Sequence, residues 1–125
     1  MAERVGQPSI AAVAQPVRVL VANEPCAYRE VLAAAVLLLR PHLDVRIVAP
    51  GDVDGAVHRL APHLVVCSRL SPAVLTSPLG WVLLYPGGQG RGVLSMAGRR
   101  TTTRSVEFAW VLDALDQTER LLQMN

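Results

Sequence analysis

The stretch VRVLVANEPCAYREVLAAAVLLLRPHLDVRIVAP, Val17 to Pro50, decides how the chain is read. It opens on a β-branched run that ends at Asn23, passes through an apolar segment between Pro25 and Pro41, and closes on DVRIVAP, Asp44 to Pro50. A strand covered on both faces has this continuous apolar character. Pro25 suits the first turn of a helix and Pro41 stops one, so the spacing predicts a helix from about residue 25 to 40 between two strands. Such a unit makes parallel neighbours in one sheet through a right-handed crossover.

Towards the carboxyl terminus, GDVDGAVHRLAP (Gly51 to Pro62) predicts a short second helix and HLVVCS (His63 to Ser68) a third strand. The rhythm then breaks. RLSPAVLTSPLG (69–80) has room for one or two helical turns, WVLLYP (81–86) predicts a fourth strand, and GVLSMAG (92–98) a fifth. The link PGGQGRG is too short for a crossover helix, so strands four and five are expected to form an antiparallel hairpin. The last helix is expected from Ser105, as N-cap, to Leu122.

A chain of 125 residues with 51% hydrophobic residues is read as a single domain over 17–125, preceded by a flexible lead-in over 1–16. The lead-in has no apolar core of signal-peptide length, and the longest apolar run, Val31 to Leu39, is too short to span a bilayer, so a cytoplasmic protein is expected. The net charge of +2 is too mild for a nucleic-acid partner. All twelve basic residues are arginine, which excludes any chemistry that needs a lysine ammonium. Cys26 and Cys67 lack metal-ligand spacing and are expected to be reduced and structural.

VRVLVANEPCAYREVL followed by DVRIVAPGDVDGAVHRLAPHLVVCS resembles the first half of the receiver domain of bacterial response regulators, over about residues 17–68. The resemblance implies an α/β fold, a flavodoxin- or receiver-like five-stranded, mostly parallel sheet with helices on both faces, its second half truncated. It also implies a phosphorylation site built from an acidic pair after the first strand, an acceptor aspartate ending the third, a hydroxyl residue ending the fourth and a lysine ending the fifth. Metal and lysine there neutralise phosphoryl oxygens while the carboxylate attacks. Asn23 and Glu24 stand at the acidic pair, Ser68 at the acceptor, and Leu84 or Tyr85 at the fourth-strand position. A serine hydroxyl cannot form an acyl phosphate, and without a base it is a poor nucleophile. Cys67 and Ser68 therefore cap a strand whose phosphorylation site has degenerated, and the chain is expected to be a pseudo-receiver.

Other candidates are weaker. RRTTTRS, Arg99 to Ser105, sets Arg99, Arg100, Thr101 and Arg104 before the expected helix terminus, where an anion or nucleotide is favoured; a solvated loop or a twisted strand end accounts for the same residues. PGGQGRG lacks the lysine and spacing of a P-loop and suits a hairpin turn. His42, His58 and His63 have no partners at ligand spacing, so neither a metal nor a cofactor is expected. In the last helix, Phe108, Val111, Leu112, Leu115 and Leu122 are expected to face the sheet. Trp110 would then point outward with Val106, Ala114 and Leu121, as a binding surface unless the lead-in covers it. VLAAAVLLL, 31–39, is apolar all round, which calls for a second cover on the first helix.

The leading expectation is a non-catalytic module acting through a protein partner or as a homo-oligomer. The alternative is a sensor or enzyme holding a small anion between Asn23, Ser68 and the arginine loop 99–104.

Overall fold

The computed structural model describes residues 16–76, 80–85 and 90–123. Its elements are β1 (Arg18–Ala22), α1 (Cys26–Leu39), β2 (Asp44–Ile47), a 3-10 turn (Pro50–Asp52), α2 (Val53–Leu60), β3 (Leu64–Cys67), α3 (Pro72–Leu75), β4 (Gly80–Leu84), β5 (Gly92–Met96), β6 (Arg99–Thr103) and α4 (Phe108–Gln123). One mixed six-stranded sheet runs in the order β2-β1-β3-β4-β5-β6. β2, β1, β3 and β4 are parallel, whereas β4–β5 and β5–β6 are antiparallel.

The α/β class and the β4–β5 antiparallel pairing agree with the expectation. The strand count does not, because Arg99–Thr103, expected as a loop or a twisted strand end, is a full sixth strand. It forms because Ala97 and Gly98 both take positive φ, 51° and 82°, which closes a two-residue hairpin whose twist matches the flanking strands. The sixth strand also displaces the last helix. Thr103 Oγ1 accepts the Ser105 N–H at 3.3 Å, and the first helical amides, those of Trp110 and Val111, bond to the Glu107 carbonyl. Ser105 is therefore not the N-cap, and α4 starts at Phe108.

Two cores flank the sheet. On one face, Val19, Val21, Leu64, Val66, Val82, Leu84, Leu94 and Met96 pack against Leu32, Ala33 and Val36 of α1 and Val111, Ala114 and Leu115 of α4. On the other, Leu20, Val65, Cys67 and Trp81 pack under Val53 and Ala56 of α2 and Val74 of α3. A buried leucine or valine contributes about 1.5–3 kcal/mol by leaving water, so these cores dominate the folding free energy. The Ser71 hydroxyl caps α3 by accepting the Val74 N–H at 3.4 Å. That helix ends at Leu75 and packs on α2 and β4. On the same face the guanidinium of Arg100 lies 5.3 Å from the centre of the Trp81 ring, a cation–π contact.

Candidate functional site

The chain leaves β1 for β2 on one side and returns to β3 on the other, so the strand order reverses between β1 and β3. Ligands of open α/β sheets bind at the carboxyl ends beside such a reversal. Asn23, Glu24 and Ser68 meet there. The Asn23 side chain is fully buried, and neither its amide oxygen nor its nitrogen has a hydrogen-bond partner among the described residues. Its backbone carbonyl accepts from Arg29 Nη1 at 3.2 Å. The Glu24 N–H donates to Ser68 Oγ at 3.1 Å, and the Glu24 carboxylate lies 3.6 Å from Arg69 Nε.

This arrangement ties loops together. Ser68 holds the β1–α1 turn against the end of β3, and Arg69 faces the Glu24 carboxylate. No group of three His, Cys, Asp or Glu that could hold a metal ion occurs among the described residues. Cys67 is 1% exposed, and burial pushes its thiol up to about 12, so at neutral pH it is a neutral core group that donates to the Val82 carbonyl at 3.7 Å. Cys26 is exposed and unbridged, its thiol donating to Glu30.

The arginines do not join this site. Along one row of the sheet Arg100 pairs with Ser95, Ser95 with Trp81, and Trp81 with Val65. Arg99 lies one row nearer the amino ends of the parallel strands, level with Gly80 and Leu64, while Ser68 projects beyond the other end of β3. Three strand spacings of about 4.8 Å also separate β6 from β3, so Asn23 and Ser68 cannot share one small anion with Arg99 and Arg100. Arg104 follows β6 at the other end and is exposed. Arg99, Thr101, Gln117 and Arg120 instead edge a separate cavity of about 470 Å³ between the β5–β6 hairpin and α4, floored by Leu94 and Met96. Arg120 had no signal in the sequence, because its helix position becomes informative only once β6 is placed.

The outward surface expected on the last helix is also corrected. Ala114 is fully buried, while Val106, Trp110 and Leu121 pack against the core. The buried stripe is Val111, Ala114, Leu115 and Thr118, rotated about 50° from the expected one at 100° per residue. The rotation follows from the wider sheet: one flank of α4 must cover β5, and the ring of Trp110 lies over Gly92. Thr118 is accommodated because its hydroxyl donates to the Ala114 carbonyl at 3.0 Å. The alternative cover for Trp110, the lead-in 1–16, lies outside the described residues save for Pro16, as does most of PGGQGRG.

Two of the histidines tie elements together, while His58 is exposed. His63 Nδ1 accepts the Arg18 N–H at 2.9 Å, and burial, then the Arg18 charge, hold the ring below its ordinary pKa. His42 pairs with Glu119 at 2.8 Å.

The first helix keeps an open apolar side. Leu32, Ala33 and Val36 face the sheet, whereas Val31 and Leu38 are 66% and 79% exposed. Ala27 and Ala34 lie on the same outward side and are exposed. Beside them Tyr28, Ala35, Tyr85 and Phe108 line a groove of about 290 Å³ between α1 and α4, in which the Tyr28 and Tyr85 rings meet edge to face at 5.5 Å. Burial raises the Tyr28 phenol above its ordinary pKa.

No family model, curated protein or solved structure matches the chain. No helix among the described residues is long and apolar enough to cross a membrane.

Proposed function

We propose that this chain is a non-catalytic, phosphorylation-independent pseudo-receiver that acts by protein contact. The observation that carries the reading is the outward apolar side of α1, where Val31 and Leu38 stand in water with no covering element among the described residues. Large aliphatic side chains held together on one exposed helix face favour a protein partner. The loss of chemistry is supported by Ser68, whose oxygen accepts the Glu24 amide, and by the absence of lysine from the chain.

The test uses wild-type and Leu38→Arg proteins as parallel baits, each also incubated with magnesium and a small phosphoryl donor. The expected result is a partner, either another protein or the chain itself, held by the wild type alone, and no phosphoryl adduct by mass spectrometry. An adduct on the wild type sinks the non-catalytic reading, and equal binding by both baits sinks the surface.

A second reading is favoured by the cavity between β5–β6 and α4. Arg99 and Arg120 beside an apolar floor, with no carboxylate in the lining, suit a small anion with an apolar portion. A thermal-shift screen of phosphates, nucleotides and fatty acids checks it. A shift abolished by Arg120→Ala supports this reading, and no shift with any of them removes it.

A further inference from the structure

On the outward side of α1, Ala27, Val31, Ala34 and Leu38 follow one another at spacings of four, three and four. That is the heptad spacing of a helix-packing seam, and what packs along a 3.5-residue period is another helix. No charged residue interrupts it. Arg29 turns inward to the Asn23 carbonyl, and Glu30, at the flank, accepts from Cys26.

The order of sizes along the seam is small, large, small, large. A two-fold axis passing midway between Val31 and Ala34, with the helices antiparallel, sets Val31 against Ala34 of the second copy and Leu38 against its Ala27. Each large side chain then meets a small one, and the same four residues serve both copies, as a two-fold interface requires. The antiparallel sense also brings the positive end of each helix dipole beside the negative end of the other. A parallel pair would set Leu38 on Leu38 and Ala27 on Ala27, leaving a bulge and a gap.

From this we infer that the chain self-associates as an antiparallel, two-fold dimer through the α1 seam, an inference that rests on the contact reading above and names a second copy as the partner. The helix has 14 residues and is about 21 Å long. A seam of that length falls short of the roughly 800 Å² per partner of a standard interface, so a weak, concentration-dependent dimer is expected.

Sedimentation equilibrium of the full chain from about 5 to about 500 µM tests this directly. The expected average mass climbs toward twice that of the monomer. Leu38→Arg and Ala27→Glu are chosen because both suit the dipole of their own helix, a cation in the last turn and an acid in the first. Each alone sets its charge beside the like-signed helix end of the partner and weakens association by about ten-fold or more. Mixed in equal amounts, the two variants place the introduced guanidinium of one copy opposite the introduced carboxylate of the other and recover the dimer, which a parallel register cannot do. Circular dichroism and the melting temperature of each variant establish that it is folded.

A wild type that stays monomeric throughout, or folded variants whose mixture does not recover, overturns the inference. The contact reading is judged separately. If the wild type is monomeric but binds another protein that Leu38→Arg does not, only the second copy is wrong; if the two baits also behave alike, both readings fall.

Discussion

Ser68 and Glu24 are joined across the carboxyl ends of β3 and β1, the serine oxygen accepting the glutamate N–H at 3.1 Å. The bond occupies the Ser68 hydroxyl and fastens the β1–α1 turn to the end of β3. Ser68→Ala is expected to lower stability by about 0.5–1.5 kcal/mol, read by urea denaturation. Ser68→Asp is expected to gain no phosphoryl group from a small donor with magnesium. Asn23 still lacks the charge to hold the metal, and no lysine is available to neutralise the phosphoryl oxygens.

Arg40 joins the end of α1 to α4, donating to Asp116 through Nε at 2.8 Å and Nη2 at 2.9 Å. The hydrogen bonds from Arg40 hold the Asp116 carboxyl below the usual carboxylate range. A carboxyl whose folded pKa is depressed contributes stability that is fully present above its unfolded pKa, about 3.9, and is lost as pH falls through the folded value. Wild type is therefore expected to melt above Asp116→Asn at pH 7. The two curves should converge as the pH falls below about 4 and through the folded value, and a gap that does not narrow on acidification would contradict the pairing.

Trp110 and Gly92 are matched in shape. A Cβ on Gly92 would lie 2.8 Å from the Trp110 ring and 2.8 Å from Val106 Cγ2. Gly92→Ala is expected to cost about 1–3 kcal/mol by overpacking. Trp110→Ala, at a half-buried position, should cost about 2 kcal/mol or more by opening the space it fills. The double variant Gly92→Ala with Trp110→Ala should lose less than the two single losses added, because removing the ring relieves one of the two close contacts of the new methyl; additive losses would mean the contact is not shared.

The β5–β6 turn carries a local conflict, since Ala97 has φ 51°. Ala97→Asn, which places Asn-Gly in a turn needing positive φ at both positions, is expected to raise stability by about 0.5–1 kcal/mol. Thermal denaturation of the single variant checks it, and a lower midpoint would argue against the turn.

The same turn explains what remained hidden in the sequence. SMAGRR carries none of the usual hairpin pairs, so Arg99–Thr103 reads as a loop or a twisted strand end until its pairing with β5 is seen. Asn23, Glu24 and Ser68, by contrast, are legible at the strand ends, because each follows a short buried run with a clear boundary. Their meeting was foreseeable from strand order, but the Ser68–Glu24 bond and the orphaned amide of Asn23 were not. Side-chain partners far apart in sequence leave no periodic trace.

Local pattern was enough to specify the β1–α1–β2–α2–β3 half, the β4–β5 hairpin and the buried character of Cys67. Apolar runs, proline stops and the length of a link act within a few residues. Tertiary structure alone decided the sixth strand, the rotation of α4 that turns Trp110 onto Gly92, the separation of Arg99 and Arg100 from Ser68, and the outward side of α1. A helix that is apolar all round carries no direction in its own sequence. Its buried side is set by the width of the sheet beneath it and by the neighbour that shares that face, and both depend on contacts between residues distant along the chain.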